Sequence, residues 1–269
     1  HDQSPLRAAA AEVLELHGGN SAQTWIEILL KDPDPLVQCQ AAAALARRKR
    51  ETAWPVVDPL TTAPDPGLAR PTARALAFTG SEAALARLGT QLANPNLMRE
   101  SLRGVSDIQS PSLIPLLLNL LPGLEEADLN YGAILTALQN QEWKEVIAGL
   151  ATFIRSGDEK QIRTGARLMT VLTRSPDLGK PLREALANAK ETETIEAGLI
   201  ALGSAAMLPD KHHEFFSANL KHQESSIRSL SIRCLAHCKE INHYGILRES
   251  LDDEDPEVVR AALSALKRQ

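Results

Sequence analysis

The chain has 269 residues, 43% of them hydrophobic, which is enough apolar mass for one large domain or two ordinary ones. Only nine residues are aromatic (three Trp, two Tyr, four Phe), so the wide apolar walls of a small-molecule cleft are hard to build; Ala and Leu instead suit helices that approach closely. A net charge of -5, with neither half basic, argues against a nucleic-acid-binding module, and no apolar run approaches the ~18–20 residues that cross a bilayer.

In chain order, the first element is an apolar-periodic stretch from Ser4 to Leu14, with Pro5 in its first turn. A second, Ala22 to Lys31, is followed by Asp32-Pro33-Asp34-Pro35 and then by Pro35 to Leu45. Counting Pro35 as position zero, apolar side chains fall at +2, +6, +9 and +10, one face of an α-helix. The same eleven-residue template fits Pro66 to Leu76, Pro95 to Val105 and Pro256 to Leu266, with weaker copies from Ala127, Lys160, Glu193 and Ser225. The nine starts, 4, 35, 66, 95, 127, 160, 193, 225 and 256, lie 29 to 33 residues apart. A period of this length marks a repeat architecture.

Each period also holds an apolar helix ahead of the template, as in Glu82–Leu92, Ser112–Leu121, Glu142–Arg155 and Tyr244–Leu251. The turns agree: Asp32, Asp65, Asn94 and Asp252 to Pro256 offer Asp or Asn as N-caps and place proline in the first helical turn, where no backbone donor is lost. Pro55, Pro59 and Pro115 should start, bend or shorten the helices that hold them.

This layout resembles the HEAT-like repeat family, in its short bacterial form with a consensus near D-P-x-V-R-x-x-A-A-x-A-L, the type also found in bilin lyases. The resemblance spans the chain. It implies an all-α fold, a right-handed α-solenoid of about 8.5 helical hairpins forming one domain over 1–269, with the template helices on the concave side. The first copy lacks its leading helix, so Leu6, Val13 and Leu14 should be uncovered; the expectation is a C-terminal part of a longer protein. An uncovered end also offers a route to self-association.

Arginines recur near the start of the template: Arg7, Arg70, Arg99, Arg163, Arg228 and Arg260. Two readings compete. In one, a structural ladder pairs each arginine with an interhelical aspartate, Asp32, Asp65 and Asp252 being candidates. In the other, positions +1, +4, +5 and +8 stay outside the core, and Arg70, Arg74, Arg99, Arg103, Arg163, Arg167, Arg228 and Arg233 line a surface for an acidic segment of a protein partner. The basic run Arg47-Arg48-Lys49-Arg50 reads as a solvated helix end.

Cys234, His237 and Cys238 are the residue types of a metal site, but they lack C-x-x-C spacing, and Cys234 falls at the core position +9; no metal and no cofactor are expected. Deoxyhypusine hydroxylases, which share the repeat type, hold two irons with several His-Glu dyads, whereas here only His213-Glu214 occurs. Trp25, Trp54 and Trp143 occupy different phases of the repeat and are expected to fill gaps between layers. The reading is a non-catalytic protein-binding scaffold, with a regulatory or substrate-presenting module of a larger enzyme or sensor as the alternative. Three cysteines without a framework spacing suggest a reducing, cytoplasmic setting.

Overall fold

The computed structural model describes residues 3–17, 19, 21–49, 53–62, 65–172, 175–204, 207–239 and 243–268. Among these, every regular element is helical and there is no strand. The template copies become the odd-numbered helices: α1 (Ser4–His17), α3 (Pro35–Arg48), α5 (Ala69–Thr79), α7 (Pro95–Val105), α9 (Leu129–Gln139), α11 (Glu159–Val171), α13 (Thr192–Leu202), α15 (Ser225–Leu235) and α17 (Pro256–Leu266). Between them lie the even-numbered helices α2 (Ala22–Leu29), α4 (Trp54–Leu60), α6 (Glu82–Ala93), α8 (Leu113–Leu120), α10 (Trp143–Ser156), α12 (Gly179–Leu186), α14 (His213–Ala218) and α16 (Tyr244–Glu249).

The caps explain these boundaries. Asp34, Asn94 and Asp255 each accept a hydrogen bond two residues on, from the backbone N–H of Leu36, Asn96 and Glu257 at 2.8, 3.0 and 2.8 Å, and the proline between them opens the helix. Asp65 does the same for Gly67, but Pro66 opens a 3-10 turn over Pro66–Leu68 that leads into α5. Asp158 and Gln161 form a reciprocal capping box at the start of α11. Proline shortens α4 to seven residues, with Pro55 in its first turn and Pro59 inside it. One register differs from expectation: Asp128 caps α9, so the helix begins at Leu129, two residues after the expected start at 127, and buries Tyr131, Ile134, Ala137 and Leu138.

Packing sorts the chain into two compact units, His1–Val146 and Ile147–Gln269. In the first, α1, α3, α5, α7 and α9 pack successively side by side, and α2, α4, α6 and α8 cover the helices that follow them. Small residues permit this. Ala41 to Ala44 and Ala46 of α3 are fully buried, and Gly104 of α7 sits so close to α5 that a Cβ there would lie 2.5 Å from the Arg70 carbonyl oxygen. Leu76, Leu88, Leu92 and Leu102 fill the remaining space, each contributing about 1.5–3 kcal/mol by burial. In the second unit α11, α13, α15 and α17 pack in the same succession, with α12, α14 and α16 against α13, α15 and α17. No helix among the described residues is long and apolar enough to cross a membrane.

Candidate partner-binding surface

The arginines at template position +3 form a ladder, and its geometry is the same in both units. Arg7 donates through Nε and Nη2 to Asp32 Oδ2 and Oδ1 at 2.6 and 2.9 Å. Arg228 makes the same bidentate pair with Asp253, at 2.8 Å for both bonds, and its Nη1 donates to the carbonyls of His222 and Gln223 at 2.9 Å. Each aspartate stands three residues before the next template start, so the arginine fastens its helix to the turn ahead. The arginine hydrogen bonds hold Asp32 and Asp253 below the usual carboxylate range, outweighing their desolvation. Arg163 reaches forward likewise, to Glu193 at 2.5 Å and Glu191 at 3.5 Å. Gln38 replaces arginine in the second copy and donates instead to the Asp32 carbonyl oxygen. Two expected ladder partners are different: Asp253, not Asp252, serves Arg228, and Asp65 caps its own turn.

The eight arginines expected to line a surface therefore divide. Arg228 is buried in its ladder pair and Arg163 is held in its own. Arg74, expected outside the core, is 5% exposed. Its Nη2 donates to Glu15 Oε1 at 2.5 Å, and its Nη1 to Asp107 Oδ1 at 2.6 Å and to the Gly104 carbonyl at 3.2 Å. Burial disfavours the Arg74 charge, but its bonds to Glu15 and Asp107 outweigh this and raise its pKa. The Phe78 ring packs under both Arg74 and Arg47, at 5.4 and 5.5 Å, and Arg47 reaches Glu15 at 3.4 Å. The group ties together the C-terminal ends of α1, α3 and α5.

The other five arginines are exposed. Arg70 approaches Glu12 only at 3.5 Å, with both side chains substantially in solvent, and Arg103 pairs with Glu100 of its own helix at 2.6 Å. Arg99 and Arg233 make no ion pair among the described residues, and Arg167 points outward from α11. Positions +4 of α5 and α7, Arg70 and Arg99, thus fall at one register of adjacent helices, with Arg103 one turn further along α7. In the basic run, Arg48 donates to the Leu14 carbonyl at 2.9 Å, so this helix end fastens to α1, while Arg50 lies outside the described residues.

Cys234 and Cys238 are buried, Cys234 donating to the Leu199 carbonyl at 3.3 Å, whereas His237 faces solvent. Desolvation pushes the two thiols up to about 12 and about 11, the opposite of what a metal-binding thiolate needs. The described residues hold no group of three or more His, Cys, Asp or Glu side chains arranged to take a metal ion. The tryptophans do not fill gaps between layers as expected: Trp25 and Trp143 are 58% and 41% exposed, and Trp54 lies under the Arg87 guanidinium at 5.3 Å.

Residues 22–97 match the family model for HEAT repeats. Among curated proteins none matches the chain. Solved structures similar to it include an engineered protein (17% identity over 93% of this chain and 96% of that one, TM-score 0.38). Human deoxyhypusine hydroxylase in complex with glycerol is another (16% identity, 99% and 91% coverage, TM-score 0.31). A third is the complex of CpcE and CpcF of phycocyanin lyase from Nostoc sp. PCC7120 (19% identity, 91% and 93% coverage, TM-score 0.35). At these TM-scores the likeness says nothing of this chain's chemistry. The helical hairpins of residues 22–97 are thus similar to HEAT repeats, and the described residues form an all-α repeat fold.

Proposed function

We propose that the chain is a non-catalytic scaffold that holds an acidic segment of a protein partner against the exposed arginines of its odd-numbered helices, chiefly Arg70, Arg99 and Arg103 on α5 and α7. The observation that carries this reading is the division among the arginines. Those at +3 are locked into the fold, whereas Arg99 and Arg233 are solvated and make no ion pair among the described residues. A cation that the fold does not use adds little to stability and is available to a partner. Arg167 and Arg233 supply the corresponding charges in the second unit.

The test is anisotropy of a fluorescein-labelled, glutamate-rich peptide titrated with the full chain at low and high salt. Binding should weaken steeply with salt, because exposed charges are screened within a Debye length of about 10 Å at 0.1 M. Arg99→Glu with Arg103→Glu should lower the affinity at least tenfold while leaving the helical circular dichroism unchanged. Equal binding by this double variant would sink the proposal. Stronger binding of a single-stranded oligonucleotide than of the peptide would replace the protein partner by a nucleic acid.

A further inference from the structure

The C-terminal ends of α3 and α5 and the turn that follows α7 line a cavity of about 360 Å³, with Leu16 of α1 beside them. This lies within the range of ligand pockets, about 300–1,000 Å³. Its lining is of two kinds. Phe78 and Ile108 are apolar, whereas Arg47, Arg74, Asp107 and Ser110 bring charge and hydrogen-bonding groups.

The fold does not use all of these groups. Arg74 spends its charge on Glu15 and Asp107. Arg47 does not: its one polar partner among the described residues is Glu15 Oε1 at 3.4 Å, an oxygen that Arg74 already holds at 2.5 Å. The Arg47 side chain is 41% exposed, and a guanidinium carries five N–H donors, so most of its donors are unspent. Ser110 is 8% exposed and donates its backbone N–H to Gln141 Oε1 at 2.8 Å, while its hydroxyl has no partner among the described residues. A hydroxyl so enclosed is available to whatever enters the cavity.

Asp107 shows which chemistry the cavity accepts. Its side chain is 59% exposed, yet its Oδ1 lies 2.6 Å from Nη1 of the buried Arg74. A carboxylate on the solvent side thus already rests on the buried guanidinium, in a charge-assisted bond stronger than one between neutral groups. The Phe78 ring lies under both guanidiniums, at 5.5 Å from Arg47 and 5.4 Å from Arg74, so the two cations share one apolar floor.

We propose that this cavity binds a carboxylate carried beside an apolar side chain, as at the C-terminus of a polypeptide. The carboxylate accepts from Arg47 and the Ser110 hydroxyl and competes with Asp107 for Arg74, while the apolar side chain lies along Phe78 and Ile108. The exposed arginines Arg70, Arg99 and Arg103 take no part, so this reading and the proposed function stand or fall separately.

The probe is the pentapeptide Gly-Ser-Gly-Ala-Leu, labelled with fluorescein at its N-terminus and titrated with the full chain by anisotropy, once as the free acid and once as the C-terminal amide. It carries no acidic side chain. The free acid should bind about tenfold more tightly than the amide, the loss expected when one partner of a charge-assisted bond is neutralised. Arg47→Met should remove that difference while leaving the circular dichroism unchanged. Asp107→Asn should tighten binding of the free acid by about threefold, because an uncharged side chain competes less well for Arg74, whereas a purely structural role of Asp107 predicts no gain. Arg260→Glu, on α17, should change nothing. Competition by N-acetyl-leucine at the peptide's own affinity would name a free apolar acid as the source of the carboxylate, and its failure to compete would name a chain end. Equal affinity for acid and amide, or no tightening in the Asp107→Asn chain, overturns the proposal.

Discussion

The ion cluster of the first unit gives the sharpest quantitative prediction. The Glu15 side chain is fully buried and that of Arg74 is 6% exposed, and Arg74 reaches Glu15 across 59 residues of sequence. Replacing Glu15 by leucine leaves a guanidinium in the core with only Asp107, itself 59% exposed, and one carbonyl. Breaking a buried pair costs about 3–5 kcal/mol, because the surviving charge stays desolvated. Asp107 retains part of the compensation, so Glu15→Leu should cost about 3 kcal/mol, at the low end of that range. Removing both charges, Glu15→Leu with Arg74→Met, should return stability to within about 1 kcal/mol of the parent, since an apolar pair of similar volume replaces a desolvated one. Urea unfolding followed by circular dichroism gives the totals. Hydrogen exchange in α1, α5 and α7 gives the local effect, which matters because long repeat arrays need not unfold in one step. A double variant as unstable as Glu15→Leu alone would refute the argument, because the lost stability would then lie in shape and not in an orphaned charge.

Three further expectations follow from the same packing. Gly104→Ala should destabilise the first unit by about 1–3 kcal/mol, since its Cβ meets backbone of α5 that cannot move without parting the two helices, while Gly132→Ala, in open space, should be neutral or slightly stabilising in the same urea titration. His212 is buried and its Nε2–H donates to the Met207 carbonyl oxygen at 3.0 Å, and its burial, helped by the nearby Arg183 charge, holds its pKa below the usual histidine value. The unfolded chain therefore takes up this proton first, so stability is full above about pH 6.5 and falls as pH drops below it; His212→Leu should flatten that slope in thermal melts between pH 7 and 5. Cys39, Cys234 and Cys238, with thiols pushed up to about 11, 12 and 11, should resist iodoacetamide at pH 8 in the folded chain and react fully in urea, as counted by mass spectrometry.

Much of the fold was legible because the repeat states the same fact nine times. Starts at 35, 95, 225 and 256 coincide with the first residues of α3, α7, α15 and α17, and in α3, α7 and α17 an Asp or Asn cap followed by proline fixes the boundary. The expected start at 127 lies two residues before α9, because Asp128 supplies the cap and the helix begins at Leu129. The site was less legible. Arg74 and Arg103 share position +8, yet one is buried and the other solvated. The difference lies in Glu15, two template copies upstream of Arg74, with α3 between them. That helix is alanine over Ala41–Ala44 and again at Ala46, short enough for two charged groups to meet past it. A repeat template relates each copy to the next; it carries no information about a pair that skips one. The tryptophans failed for a related reason: their phases in the repeat say they are not a stripe, but not whether a neighbour covers them.

The distinction between positions +3 and +4 explains how one residue type serves two purposes here. Successive residues on an α-helix are turned by about 100° from each other, since a turn takes 3.6 of them. An arginine at +3, as in Arg7 and Arg228, is aimed at the turn before the next template helix and closes on the aspartate there. At +4 the same side chain is rotated away from that turn: Arg70 finds only a distant glutamate, Arg260 pairs within its own helix, and Arg99 is left to solvent. Copies that keep arginine at +3 therefore spend it on holding the array together, and copies that shift it to +4 release it. Under the proposed function, the α5–α7 pair, which carries two successive +4 arginines, is therefore the place where an acidic partner would gain most and the fold would lose least.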